Sequence, residues 1–357
     1  MNTLVLTRND LSVIVQAFGR DALMDEVLAQ LRIALREYDP SRTQSLRRQG
    51  FVYEKPRLGV LEWMPVMRVS RQVVIKVVAY NPGNPDDVGL PTIVSTISVY
   101  DPATGHLVAL LDGILLTALR TGAASAVATQ ILARPGSSIV GIIGCGAQAV
   151  TQLHALSRVM QIQEVLFFDT DPSAVASFPR RTAFLGLSMK SAPPNVVARA
   201  SDVLCTATSV EVGKGPVFED SDLKPWIHVN AVGSDLPGKI EVPLSLLKRS
   251  LVCPDFLEQA LIEGESQQLD ASEVGPSLSD LVKRQQDFEA YRSRPTVFDS
   301  TGYALEDMVA TEIVLKHARA LGLGRELAIE NILADPRNPY GPLDVQASRP
   351  AQDRALP

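Results

Sequence analysis

Residues 138–171 read SIVGIIGCGAQAVTQLHALSRVMQIQEVLFFDTD. An apolar run, 139–143, meets the turn Gly144-Cys145-Gly146-Ala147-Gln148-Ala149. A helical pattern follows, then a second apolar run that ends in Asp169. This is the G-x-G-x-x-G/A arrangement in the setting it requires: strand, tight turn, helix, strand, acid. Gly144 lets the chain turn sharply, Gly146 lets backbone N–H groups approach a pyrophosphate, and Ala149 lets the helix lie close to the sheet. The helix N-terminus adds free donors and the positive end of a dipole. Asp169 stands 23 residues past Gly146, near the ~20-residue spacing of a carboxylate that accepts hydrogen bonds from an adenosine ribose diol. Such a carboxylate repels a 2′-phosphate, so the stretch predicts NAD rather than NADP. Gly144, Gly146, Ala147, Gln148 and Asp169 are the cofactor-binding candidates it supplies.

The α/β rhythm continues after Asp169, with strands expected at 187–190, 203–206, 228–231, 250–252 and 296–299 and a helix at 303–321. Before the turn, 115–134 (LLTALRTGAASAVATQILAR) predicts a small-residue helix ended by Pro135-Gly136. The front third differs. Residues 7–38 carry helical apolar spacing, with Thr7 or Asn9 available as cap. Residues 39–56 are polar and turn-rich, and strand-like pieces at 59–67, 72–79, 92–100 and 106–112 form an antiparallel meander. The fold class is α/β: a Rossmann NAD-binding domain over 116–303, and a discontinuous α+β domain made of 1–115 with 304–340. Residues 341–357 read as a flexible tail.

Composition narrows the function. The chain has 357 residues, 46 % hydrophobic and 21 % charged, with net charge −6, an ordinary two-domain globular balance. Basic residues cluster only in pairs such as Arg47-Arg48 and Lys248-Arg249, which argues against nucleic-acid or anionic-membrane partners. The opening residues do not resemble a secretory signal, and no apolar run reaches the ~18 residues of a membrane span. Cys145, Cys205 and Cys253 form neither a disulfide framework nor a metal set, so the cytoplasm is the expected compartment and no metal is expected. His106, His154, His228 and His317 lack metal spacing and read as structural or surface residues. H-E-x-x-H, H-x-x-E-H and G-x-S-x-G are all missing from the sequence, which leaves zinc hydrolysis and serine-nucleophile chemistry without support.

The cations are more telling. Lys76 sits inside the apolar strand Val73-Val74-Ile75-Lys76-Val77-Val78, and Arg120 inside the small-residue helix. A cation in such surroundings needs a partner: either a structural ion pair, or a substrate carboxylate captured by converging charges. Asp235 falls just past the carboxyl end of the strand at 228–231, the edge at which open α/β sheets bind ligands. It reads either as a loop or cap aspartate or as a general acid/base with a raised pKa beside an apolar ring.

Together these segments resemble the ornithine cyclodeaminase/μ-crystallin family, most nearly its bacterial lysine cyclodeaminase branch. The likeness runs from about residue 5 to 340 and rests on LEWMP (61–65), the Lys76 strand, LPTI (90–93), LTALRTGAASAVA (116–128), GCGAQAVTQLHALSRV (144–159), TSV (208–210), NAVGSDLPGKIEVP (230–243), EGESQQL (263–269) and VFDSTGYALED (297–307). LRTGAASA and FDSTG are rather specific. Cys145 stands where the family more often has Thr or Ala, and Ile240 where it often has Thr. The resemblance implies a homodimer built through the N-terminal domain. It implies that Arg48 (Arg47 being the second choice), Lys76 and Arg120 hold the substrate carboxylate, with Thr301 nearby, and that Glu62 faces the distal amine. Asp235 would be the acid/base residue, and Thr92, Thr206, Thr208, Ser209, Val232, Gly233 and Ser300 would lie along the cofactor. The implied reaction is redox-neutral: catalytic NAD takes and returns the Cα hydride while an L-diamino acid closes to a cyclic imino acid and ammonia leaves. Lysine to pipecolate stands ahead of ornithine to proline. The alternatives are a net oxidoreductase of the same family, such as a ketimine reductase or alanine dehydrogenase, and a non-catalytic binding protein of μ-crystallin type.

Overall fold

The computed structural model describes residues 1–54, 58–333 and 335–340; the tail expected at 341–357 lies outside them. Strand β1 (Thr3–Leu6) leads into α1 (Arg8–Phe18) and α2 (Arg20–Arg36). Thr7 caps α1, and its N–H donates to the Asp10 carboxylate at 2.7 Å, half of a capping box. The apolar spacing over 7–38 predicts one helix, but the chain makes two. Gly19 breaks the run at φ +84°, a conformation that glycine alone adopts at little cost. The stretch expected to be all turn contains β2 (Thr43–Ser45) and β3 (Gln49–Tyr53). After these come β4 (Gly59–Arg68), β5 (Gln72–Tyr80), the short α3 (Asn84–Asp87), β6 (Ile93–Tyr100) and β7 (Leu107–Asp112). Strands β4 to β7 pair antiparallel, the expected meander.

Helix α4 (Ile114–Leu132) crosses to the dinucleotide unit: β8 (Ile139–Ile143), α5 (Ala147–Val159), β9 (Glu164–Phe168), α6 (Pro172–Arg181), β10 (Met189–Ser191), α7 (Pro194–Ala200), β11 (Val203–Thr206) and β12 (His228–Ala231). Then come α8 (Leu244–Arg249), β13 (Leu251–Pro254), α9 (Leu257–Glu263), α10 (Leu278–Lys283) and β14 (Thr296–Asp299). These strands form a parallel sheet in the order β10-β9-β8-β11-β12-β14-β13. The order reverses between β8 and β11, so a crevice opens beyond their carboxyl ends, where doubly wound sheets bind ligands.

Helix α11 (Ala304–Leu321) and β15 (Arg325–Leu327) return to the front of the chain. Helix α11 packs on α1, α2, β4 and β5. Strand β15 pairs with β1, which lies beside β7, giving the second sheet the order β15-β1-β7-β6-β5-β4-β2, with β3 also on β4. Its strands alternate. Val60, Met64, Val66, Val74, Ile97, Val99, Ala109 and Leu111 are buried on the inner face, while Leu61, Val77 and Phe51 stay exposed on the other. Lys76 has the inner-face parity. Helix α4 is long and apolar enough to cross a bilayer, yet most of it is buried within the protein, packed among α2, α5, α10 and α11. Its run of Gly122, Ala123, Ala124, Ser125 and Ala126 gives these neighbours room to approach.

Candidate active site

The glycine turn forms as its residues dictate. Gly144 sits at φ +93°, and a Cβ there would fall 2.5 Å from the Ala207 carbonyl oxygen, so only glycine fits between β8 and the loop after β11. Gly146 precedes α5, and a Cβ on it would meet no protein atom within 4 Å. The Gln148 Oε1 is buried without a protein partner. An open cradle of backbone N–H groups at a helix N-terminus fits the phosphates of a dinucleotide. Asp169 already ties the turn: its carboxylate accepts from the Cys145 N–H at 2.6 Å and the Asp171 N–H at 2.9 Å.

A cavity of about 1030 Å³ runs from this turn to the cations. Gly144, Gly146, Ala147, Gln148 and Asp169 line it, as do Thr208, Ser209, Val232, Gly233 and Ser300. Thr92 enters from the loop before β6. Arg48, Lys76, Arg120, Asp235 and Thr301 line the same space. Two expected residues do not. Thr206 lies below the lining, with its hydroxyl donating to Glu241 Oε2 at 2.7 Å. Glu62 sits behind Arg48, 3.5 Å from its Nε. Register accounts for Thr206: as the last residue of β11 it points into the packed layer under the sheet edge.

Lys76 and Arg120 meet their partners on α11. Lys76 Nζ lies 2.8 Å from Asp307 Oδ2, each side chain being 1 % exposed. Arg120 donates to Glu306 Oε2 at 2.9 Å and stands 3.0 Å from Asp307. Burial, followed by the neighbouring Arg120 charge, holds Lys76 down to about 8, against the pull of Asp307. Burial pushes Glu306 up to about 8 despite Arg120. At neutral pH Glu306 therefore keeps its proton beside the two cations. The cluster has a net positive charge to offer a carboxylate.

Arg48 is wired to several loops at once. It donates to Glu263 Oε1 at 2.7 Å, to the Asp235 carbonyl at 2.6 Å and to the Thr301 carbonyl at 3.1 Å. Arg47, the other candidate for this position, is exposed and outside the cavity lining. Burial raises Glu263 to about 7, opposed by Arg48, and raises Glu62 as well. Asp235 lies in the loop after β12, where its carboxylate accepts from Lys239 Nζ at 2.8 Å. Lys239 is 2 % exposed and sits 4.7 Å from the centre of the Tyr80 ring. Burial alone would push Lys239 down, but Asp235 and Tyr80 outweigh it and hold it up.

Lys239, Tyr80, Glu263, Glu306, Asp307 and Glu241 are residues that reading the sequence missed as site components. Lys239 had a signal, standing four residues after Asp235. The acids of α11 had another, being paired charges opening an apolar helix. The histidines take structural partners: His228 with Thr296 and Asn230, His154 with Asp21, His317 with Glu26, and His106 with Glu330. Among the described residues no group of His, Cys, Asp or Glu could hold a metal ion.

The sequence model of the ornithine cyclodeaminase/mu-crystallin family matches residues 9–321. The L-lysine cyclodeaminase of Streptomyces rapamycinicus is 41 % identical over 341 residues, covering 95 % of this chain and 99 % of that protein. A solved lysine cyclodeaminase, studied for its recognition of L-lysine, L-ornithine and L-2,4-diaminobutyric acid, superposes with a TM-score of 0.94 at 48 % identity, covering 96 % of this chain and 99 % of the other. An archaeal alanine dehydrogenase dimer with bound NAD gives a TM-score of 0.82 at 32 % identity, covering 92 % of this chain and 100 % of the other.

Proposed function

This chain belongs to the ornithine cyclodeaminase/mu-crystallin family, and from that premise we propose that it is an NAD-dependent cyclodeaminase, which converts an L-diamino acid to a cyclic imino acid with release of ammonia. L-Lysine to L-pipecolate is placed ahead of L-ornithine to L-proline. One observation carries the reading: a single cavity holds the glycine turn together with Arg48, Lys76, Arg120 and Asp235.

When bound, NAD supplies reversible hydride acceptance at the substrate's Cα, which leaves the overall reaction redox-neutral. Gly146, Ala147 and Gln148 would take its pyrophosphate, Asp169 its adenosine ribose, and the loops carrying Thr208, Gly233 and Ser300 its nicotinamide half. Lys76 and Arg120 bind the α-carboxylate, drawing on the positive balance that Glu306 leaves by keeping its proton. Arg48 completes the clamp and fixes the loops of Asp235 and Thr301. The distal amine must lose a proton before it attacks the carbon that the clamp presents. Asp235, oriented by Lys239, moves protons among the nitrogens. Clamping the carboxylate brings the two reacting ends of one molecule together, and such positioning can contribute about 7–11 kcal/mol to a ring closure.

The archaeal relative favours a second reading, net oxidation of an amino acid. Incubation with L-lysine or L-ornithine and a trace of NAD separates the two. A cyclodeaminase releases one ammonia per cyclic product with no build-up of near-ultraviolet absorbance, whereas a dehydrogenase stops once the NAD is reduced. Relative rates rank the two substrates, whose one-methylene difference is worth about 1–3 kcal/mol in a pocket. A homodimer through the exposed face of β3, β4 and β5 completes the proposal, with a cytoplasmic setting in keeping with three buried, unpaired cysteines.

A further inference from the structure

Glu241 has no part in the mechanism above, yet it is among the most heavily bonded side chains near the cavity. It stands between β12 and α8, wholly buried. Its Oε1 accepts from the Thr208 N–H and the Thr208 hydroxyl, each at 2.6 Å. Its Oε2 accepts from the Thr206 hydroxyl at 2.7 Å and the Gly233 N–H at 2.9 Å. One carboxylate thus joins the end of β11 and its following loop to the loop after β12. Thr208 and Gly233 line the cavity, while Glu241 does not. The fit is tight, since a Cβ on Gly233 would fall 2.3 Å from Glu241 Oε1.

Glu241 is itself held from behind. Its backbone N–H donates to Glu265 Oε1 at 2.7 Å, and the Val242 N–H donates to Glu265 Oε2 at 3.2 Å. The Glu265 and Ser266 N–H groups in turn donate to Asp299 at 2.9 and 2.7 Å. Three buried carboxylates therefore stand in series along the sheet edge, each fixing the backbone that presents the next. Burying a carboxylate is costly unless donors surround it, and for Glu241 the donors belong to the end of β11 and to the loops after β11 and β12.

Gly233 lies two residues before Asp235, at the cation end of the cavity, whereas Asp169 lies beyond the glycine turn. A dinucleotide laid along the cleft would place its nicotinamide half against the loops that Glu241 ties. We propose that Glu241 is a positioning residue, which sets the spacing of the loops after β11 and β12 for the nicotinamide half of NAD without touching NAD itself. The inference rests on the cavity holding NAD.

Calorimetric titration of NAD and of 5′-AMP into the parent protein and Glu241→Gln tests it. The glutamine turns one acceptor into an NH₂ that faces existing donors, and an unmade charge-assisted bond of this kind corresponds to roughly a tenfold change or more. NAD is expected to bind about tenfold or more weakly, while 5′-AMP, which needs Asp169 and the glycine turn but not the nicotinamide half of the cleft, is expected to lose far less. Should Glu241→Gln fail to fold, Thr206→Val removes one donor from the same carboxylate, and a smaller loss confined to NAD is expected. Unchanged NAD affinity would overturn the inference, as would equal weakening of NAD and 5′-AMP, which marks a general scaffold. Failure of the parent to bind NAD would overturn the cofactor reading itself.

Discussion

Lys76 and Arg120 are buried cations whose partners come from α11, 231 and 186 residues away in the chain. Reading the sequence exposes the two cations, because each interrupts an apolar pattern. It does not expose the partners, because pairing across such separations is set by how α11 docks on β5 and α4. Buried ion pairs are weak grounds for stability, since desolvation offsets much of their attraction; under the proposed function they hold charge for a substrate carboxylate. The sign of the pH dependence follows. Below about 8, Lys76 is charged and Glu306 neutral; above it Lys76 loses its charge and Glu306 becomes negative. The inhibition constant of L-proline, a carboxylate ligand, is expected to rise as pH passes about 8, and a flat profile there would contradict the assignment. Asp235→Asn is expected to lower kcat by about 10²- to 10⁴-fold while titrated NAD still binds. Wild-type turnover in that variant would remove Asp235 from the proton transfers.

At the scale of elements, β8, α5 and β9 were legible because one glycine turn fixes all three. Strands β11, β12 and β14 were legible as short apolar runs, a pattern that strands buried on both faces produce. Strands β1 and β15 were not, since their three or four residues acquire meaning only by pairing at the edge beside β7. The break at Gly19 was hidden because the apolar spacing continues across it. Helix α4 shows how packing disciplines a sequence: Ala123 is wholly buried in the stretch where α4 meets its neighbours. Ala123→Leu is expected to destabilise the protein by about 1–3 kcal/mol through overpacking, measured by denaturant unfolding. An unchanged midpoint would mean the helix has room the structure denies it.

For the whole molecule, the exposed apolar face of the front sheet is the feature that burial leaves unexplained. Phe51 is 65 % exposed and Leu61 40 %, paired across β3 and β4, with Trp63 beside Phe51. Apolar faces of this kind mark interfaces. Leu61→Glu combined with Val77→Glu is expected to halve the mass in solution by light scattering, with no change if the face carries no second copy. What the sequence could not supply at this scale is the cleft itself, because Lys76 on β5, Arg120 on α4 and the glycine turn after β8 lie on separate elements and meet only when the two sheets and α4 pack. Under the proposed reaction the hydrogen removed from Cα is the one returned to it, and L-lysine deuterated at Cα, with catalytic NAD in ordinary water, puts this to the test. The cyclic product is expected to keep its deuterium at Cα, read by mass spectrometry and NMR; solvent hydrogen at that carbon would rule out hydride return through NAD.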